Sequence, residues 1–81
     1  MNKHKIYIKD LFTNDLIGVV YSFSVPQIGE ELNLYFPETQ IYVLYEILKV
    51  SHGVKLEPTE HKQLTGNLVS TIFVKKITEE K

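Results

Sequence analysis

The ten residues V-P-Q-I-G-E-E-L-N-L, at positions 25–34, decide the fold class of this 81-residue chain. Proline cannot donate to a strand ladder, and glycine adopts backbone angles that other residues avoid. Pro26 and Gly29 therefore mark a turn, and the alternating Leu32 and Leu34 that follow begin a new strand. A chain starts a further strand of a small β-barrel in this way, so the stretch predicts an all-β fold.

Alternation of apolar and polar residues on both sides of this stretch predicts four more strands. Asn14 and Asp15 favour a turn between the first two, and Pro37 begins a tight hairpin turn. We predict a single domain over residues 1–81, a five-stranded antiparallel barrel or strongly bent sheet. An SH3-like fold is favoured over an OB-like fold, because the turn at Pro37 has no room for a helix. The predicted strands cover residues 5–11, 16–25, 31–36, 41–51 and 68–77.

The pattern within each strand predicts which side chains form the core. The first strand has Ile6 and Ile8 on one face, and for the last strand Ile72 and Val74 are favoured over Phe73 and Ile77. Gly18 in the second strand indicates a bulge or bend, and the phase of the last strand slips near Lys75 and Lys76. Alternate residues share one face of the second strand (Ile17, Val19, Tyr21, Phe23, Val25) and the inner face of the third (Leu32, Leu34, Phe36).

The fourth predicted strand contains a change of phase. Its apolar face resumes one residue late, at Val50 and His52. One inserted residue is typical of a β-bulge, which would bend the strand. A short amphipathic helix through Leu44, Ile47 and Leu48 is the alternative, but the β-branched and tyrosine content favours a strand. Before the shift, one face carries Ile41, Val43, Tyr45 and Ile47.

Residues 53–67 carry the weakest pattern and are predicted to form a long loop, in which Pro58 could start one helical turn. Residues 78–81 are predicted to be a flexible tail. Neither a signal-peptide core nor an apolar run of membrane-spanning length is present, so we expect a cytoplasmic protein without a membrane partner.

Two motifs resemble those of small bacterial single-domain β-barrel proteins, a largely uncharacterised group. The first is V-P-x-I-G-E-x-L-x-L at positions 25–34. The second is a Y-x-V-x-x-V-x-H pattern, matched here by Tyr45, Ile47, Val50 and His52. The resemblance implies a barrel fold and transfers no activity.

Charge and composition limit the chemistry. The net charge is −1, all nine basic residues are lysine, and cysteine is absent. A disulfide framework or thiolate metal site is therefore excluded. Duplex binding is disfavoured because arginine usually supplies the bidentate contacts to phosphate and guanine. No cofactor is predicted.

The histidines offer the remaining routes to chemistry. His52 and His61, with Glu57 or Glu60, could gather around zinc, although solvated loop residues are the simpler interpretation and no metal site is predicted. His52 alone could act as a base at a barrel rim or could cap a strand by bonding a carbonyl.

Tyrosines and lysines on strands are the best candidates for binding. Outward tyrosines could stack on bases or hold a peptide, or they could form cross-strand pairs that shield a thin sheet. The candidate binding residues are Tyr7, Tyr35, Tyr42, Lys49, His52 and Lys75.

Three functional hypotheses follow. The leading one is a non-catalytic binding module that takes a protein partner or self-associates. The second is single-stranded nucleic-acid binding across the tyrosine and lysine surface, disfavoured by the net charge and the lack of arginine. The third is a small metal-dependent enzyme that uses His52, His61 and nearby glutamates.

Overall fold

The computed structural model describes residues 3–60 and 64–80, and within those ranges it contains five strands and no helix. The all-β prediction is confirmed, and the alternative prediction of a short helix in place of the fourth strand is wrong. The five strands form one sheet that curves into a half-barrel. They are β1 (His4–Asp10), β2 (Leu16–Ser22), β3 (Glu31–Phe36), β4 (Ile41–Pro58) and β5 (Leu64–Glu80).

The sheet has the order β2-β1-β5-β4-β3. The β1–β2, β3–β4 and β4–β5 pairs are antiparallel, but β1 and β5 pair in parallel. The expectation of antiparallel pairing throughout is therefore wrong at this one pair. Each connection reverses the chain, so the first and fifth strands point the same way. Once they lie side by side, their pairing has to be parallel.

The core lies on one face of this sheet and comes from β1, β4 and β5. Ile6, Ile72 and Val74 are completely buried, as the alternation predicted. Burying a side chain of this size stabilises the fold by about 1.5–3 kcal/mol. Seven buried apolar residues form the cluster: Ile6, Ile8, Val43, Tyr45, Ile47, Ile72 and Val74. Partly buried residues pack around it, namely Ile17, Val25, Leu32, Leu34, Phe36, Ile41 and Val50.

Extra residues shift the register at three points. In β4 the pairing jumps between Ile47 and Lys49, so Leu48 is the inserted residue and the predicted bulge is confirmed. Ile77 is the extra residue in β5, next to the predicted slip. Ile17 is the extra residue in β2, beside Gly18. The insertion at Leu48 lets the core face of β4 continue from Ile47 to Val50 while the strand bends.

The bulge in β2 overturns one expectation about faces. Val19 and Tyr21 were expected to share a face with Ile17, but they lie on the opposite, outer side of the sheet, opposite Tyr7 and Lys5. The inserted residue at Ile17 moves the later residues by one step, which exchanges their faces. Strand β2 also ends at Ser22 rather than at position 25. Phe23 is exposed, whereas Val25 packs on the core.

Residues 23–30 connect the two edge strands of the sheet, β2 and β3. Gly29 has a positive φ of 92°, the left-handed conformation that its lack of a side chain permits. Its N–H donates to the Ile47 carbonyl at 2.9 Å, and the Ile47 N–H donates to the Glu30 carbonyl at 3.0 Å. The predicted turn thus anchors the connection to β4 and brings Val25 against the core.

Strands β4 and β5 extend well beyond the other three. The loop predicted for residues 53–67 is wrong where the chain is described, because β4 continues to Pro58 and β5 begins at Leu64. The pairing continues through Leu56 with Gly66 to Pro58 with Leu64 near the tip. The predicted tail is also strand as far as Glu80. These long strands give the molecule its length of 54 Å. We call residues 54–58 and 64–68 the β4–β5 arm.

Truncating the buried Ile72 tests the core. We expect Ile72→Ala to lower the free energy of unfolding by about 2–5 kcal/mol, because it removes transfer energy and leaves a cavity. The matched control is Ile77→Ala, whose side chain is 47% exposed. Urea denaturation measures both variants, and equal losses would contradict the assigned faces of β5.

Acid titration tests the turn between β1 and β2. An oxygen of the Asp10 carboxylate accepts hydrogen bonds from the backbone N–H groups of Thr13 and Phe12, and these hold the pKa of Asp10 below its ordinary value of 3.8. We expect the wild-type chain to have a higher melting temperature than Asp10→Ala at neutral pH. That advantage should disappear as the pH falls through the lowered pKa, since the protonated carboxyl loses these bonds. An advantage that is constant across the acid range would contradict this assignment.

Candidate functional site

The outer face of the sheet, opposite the core, presents three rows of side chains across β2, β1, β5 and β4. Strand register defines the rows, since directly paired residues point to the same side. The rows are Leu16-Lys9-Phe73-Lys49, Val19-Tyr7-Thr71-Ser51 and Tyr21-Lys5-Val69-Gly53. We call this surface the lysine–aromatic face and define it by Lys5, Tyr7, Lys9, Tyr21, Lys49 and Phe73.

All the charged side chains on the lysine–aromatic face are positive. Its three rows carry three lysines and no aspartate or glutamate, in a chain whose net charge is −1. Clustered charges of one sign raise the local concentration of ligands of the opposite sign. This surface therefore favours an anion, although the whole chain is slightly acidic.

Aromatic rings hold two of these lysines in place. The Lys5 ammonium lies 5.1 Å from the centre of the Tyr7 ring, and the Lys49 ammonium lies 5.1 Å from the centre of the Phe73 ring. The attraction arises because the face of an aromatic ring carries negative electrostatic potential. A hydrogen bond with Tyr7 raises the pKa of Lys5 above its usual value of 10.5, so this ammonium stays charged at neutral pH.

A shallow, open pocket of about 550 Å³ lies on this face. Small residues form much of it, including Ser51, Gly53 and Thr71, while Tyr7 and Lys9 also line it. The hydroxyl groups of Ser51 and Thr71 can donate and accept hydrogen bonds. The pocket therefore combines an aromatic side chain, a cation and polar groups on an open surface.

The six residues predicted for binding do not come together. Tyr7 and Lys49 belong to the lysine–aromatic face, but Tyr35 and Tyr42 pair near the other end of β4. The Tyr7 row meets β4 at Ser51, nine residues beyond Tyr42, which corresponds to about 30 Å of strand.

Lys75 is separate from both groups, whereas His52 lines the pocket together with Tyr7, although its Nδ1 contacts Ser70. Lys75 lies opposite Glu46, which in turn pairs with Glu31, so that lysine shares its row with two glutamates. His52 is on the core side of the sheet. Phe73 and Tyr21 are the functional candidates that the sequence prediction missed, because only the β1 register with β5 and β2 brings them beside Lys9 and Lys5.

Tyr35 and Tyr42 fit the cross-strand interpretation of the tyrosines. They lie directly opposite each other in the β3–β4 hairpin, and their ring centres are 4.8 Å apart with planes tilted by 48°. Each remains 48% exposed. The pair covers the outer side of the hairpin that joins the edge strand to the sheet.

His52 contacts a serine at hydrogen-bond distance. Its Nδ1 lies 2.8 Å from the Ser70 hydroxyl oxygen across the β4–β5 ladder. A serine beside a histidine can form a nucleophile and base pair, but Ser70 is completely buried and no substrate can reach its hydroxyl. The contact satisfies a buried polar group beside the core instead.

Metal binding has no support in the part of the chain that the structure describes. Residues 3–60 and 64–80 contain no group of three or more histidine, aspartate or glutamate side chains close enough to hold a metal ion. His61 lies outside the described residues, so the zinc hypothesis that used it is not tested. No helix within the same ranges has the length and apolar character needed to cross a bilayer.

A second surface lies on the β4–β5 arm, on the same side of the sheet as the core. Val54 pairs with Leu68, and Leu56 and Leu64 follow toward the tip. These four side chains are 55%, 42%, 56% and 64% exposed, in that order. Strand β1 pairs with β5 only over residues 69–74, and β3 pairs with β4 only over residues 41–46. The arm is thus a two-stranded ribbon beyond those partners, with an apolar face open to water.

A double-mutant cycle tests the tyrosine pair. We expect Tyr35→Ala and Tyr42→Ala to show a coupling of about 0.5–1 kcal/mol in the free energy of unfolding, because each ring loses its cross-strand partner. Chemical denaturation of the two single variants and the double variant measures this coupling. Strictly additive losses would contradict the contact.

Comparison with known proteins gives no match: no protein-family model, curated protein or solved structure is similar to this chain. The resemblance to small bacterial barrel proteins stays a prediction. The assignment of sites therefore rests on the geometry of the two surfaces, the lysine–aromatic face and the arm.

Proposed function

We propose that this chain is a non-catalytic interaction module that associates with a second copy of itself through the apolar face of the β4–β5 arm. The observation that carries the proposal is the exposure of Val54, Leu56, Leu64 and Leu68 on one continuous strip. The strip extends the core side of the sheet beyond the strands that cover the core.

The arm gains stability from a partner. A two-stranded ribbon alone in water is marginally stable, and three or more strands or a packed face are needed for independent stability. Covering four large side chains that are about half exposed would contribute about 3–6 kcal/mol for each chain. Association therefore supplies the packing that the ribbon lacks within one copy.

A second copy is the partner that we propose for this surface, because a two-fold interface brings the same patch of both subunits together and so requires a self-complementary patch. The positions on the apolar side of the arm are Val54, Leu56, Pro58, Leu64, Gly66 and Leu68, none of which is charged. Two such strips can meet without repulsion between like charges. Within the described residues no third strand pairs with the arm, and strand edges of this kind are templates for pairing with another chain.

The absence of catalysis is part of the same proposal. Among the residues that the structure describes, the nearest arrangement to a nucleophile and a base is Ser70 with His52, and the serine hydroxyl is buried. We also propose that the strands are arranged as in an SH3-like fold and that the protein is located in the cytoplasm.

The test is the oligomeric state across a range of protein concentrations. We expect sedimentation velocity to show a concentration-dependent dimer for wild type and a monomer for the double variant Leu56→Asp with Leu64→Asp, because buried carboxylates oppose the contact. The matched control is Ile28→Asp, which changes an apolar residue that is 64% exposed, as Leu64 is, but lies outside the arm.

Circular dichroism confirms that each variant keeps its strands. A wild-type chain that stays monomeric up to roughly millimolar concentration would overturn the proposal, since such an assembly would be weaker than about 4 kcal/mol. Loss of the dimer in Ile28→Asp to the same extent would also overturn it, because the contact would not then depend on the arm.

A further inference from the structure

The lysine–aromatic face points to a second activity: we propose that it binds single-stranded nucleic acid. The face lies on the opposite side of the sheet from the apolar strip of the arm, and this inference does not depend on self-association. Its support is the combination of three lysines without a carboxylate, aromatic rings of which Tyr21 is the most exposed, and an open pocket on adjacent strands.

The lysines provide contacts for a phosphate backbone. Lys5 and Lys9 are four residues apart on β1, which corresponds to about 13 Å along the strand. Lys49 lies two strands away from Lys9 across Phe73, at about 10 Å. The three ammonium groups thus border an area wide enough for several nucleotides. No carboxylate lies on the rows between them to repel a polyanion.

The rings provide stacking surfaces for bases. Tyr7 lies in the middle row between Lys5 and Lys9 of the same strand, and Tyr21 lies opposite Lys5 and is 62% exposed. Bases stack on such side chains with little regard to sequence, because every base has an aromatic face. Next to Tyr7 the pocket has Ser51 and Thr71, whose hydroxyls can bond base edges.

The same features disfavour duplex nucleic acid. The chain has no arginine for bidentate contacts to guanine or phosphate. The described residues contain no helix that could enter a major groove. The arm has the two-stranded form that a groove admits, but its core-side strip is apolar rather than basic. An open sheet with rings and lysines fits unstacked bases better.

Binding of a fluorescent oligothymidylate of about ten nucleotides, measured by anisotropy, tests the inference. With three lysine contacts, we expect the logarithm of the association constant to fall against the logarithm of salt concentration with a slope of about −2. Lys9→Gln and Lys49→Gln should each reduce the slope by about 0.7. The matched control is Lys75→Gln, since Lys75 lies on the same side of the sheet but opposite Glu46.

A second experiment removes an aromatic ring to test whether bases stack on it. We expect Tyr7→Leu to weaken binding about 5- to 100-fold while keeping an apolar side chain in the sheet. Tyr35→Leu is its control, because Tyr35 lies at the other end of the sheet. Thermal melting of each variant confirms that it is folded. Equal weakening by both tyrosine variants, or by all three lysine variants, would overturn the assignment of the site.

Other anionic ligands separate this inference from its alternatives. Poly-glutamate has charge without bases, and anionic vesicles present phosphate without bases. Stronger binding to either, or to a duplex of the same length, would overturn the inference. The variant Leu56→Asp with Leu64→Asp should bind the oligonucleotide with unchanged affinity per chain. Binding by this variant would therefore show whether the nucleic-acid proposal holds independently of self-association.

Discussion

Strands β1 and β5 lie side by side in the middle of the sheet, and their parallel register determines what each face carries. Ile6 pairs with Ser70 and Ile8 with Ile72, which puts these residues on the buried side. The intervening pairs put Lys5, Tyr7 and Lys9 of β1 beside Val69, Thr71 and Phe73 of β5 on the outer side. A slip of one residue would expose the isoleucines and bury lysines, and the burial of unpaired charges would strongly destabilise the fold. The core and the lysine–aromatic face are therefore two consequences of one pairing.

The unequal lengths of the strands create the second surface. β4 has 18 residues and β5 has 17, whereas β1 and β2 have seven each and β3 has six. The short strands can cover only part of the long pair, so the apolar alternation of β4 continues into the arm without a partner. His52 and Ser70 form a polar boundary between the buried part of this face and the exposed part. Because the β4–β5 hairpin extends beyond the other strands, the alternation that buries side chains in the core leaves those of the arm exposed.

Local patterns predicted most of the fold because each depends on neighbouring residues. The bulge at Leu48, the turn at Gly29 and the inward positions of Ile72 and Val74 all follow from alternation and backbone chemistry. Pairing between distant strands leaves no such mark, so the sequence did not indicate the parallel pair or the position of Phe73 beside Lys9. The bulge at Ile17 exchanged the faces of Val19 and Tyr21, since a single unrecognised insertion reverses every later residue of a strand. The predicted binding residues divide into separate groups because Tyr35 and Tyr42 lie far along β4 from the row of Tyr7, a distance that only the strand pairing reveals.

Nuclear Overhauser effects between backbone protons of β1 and β5 test their parallel register. This register predicts contacts in a parallel pattern, centred on Tyr7 with Thr71 and on Ile8 with Ile72. It also predicts slow amide exchange in this central pair, because its ladder is covered on both sides by neighbouring strands. An antiparallel pattern between the two strands, or direct pairing of β2 with β3 in place of this pair, would contradict the account.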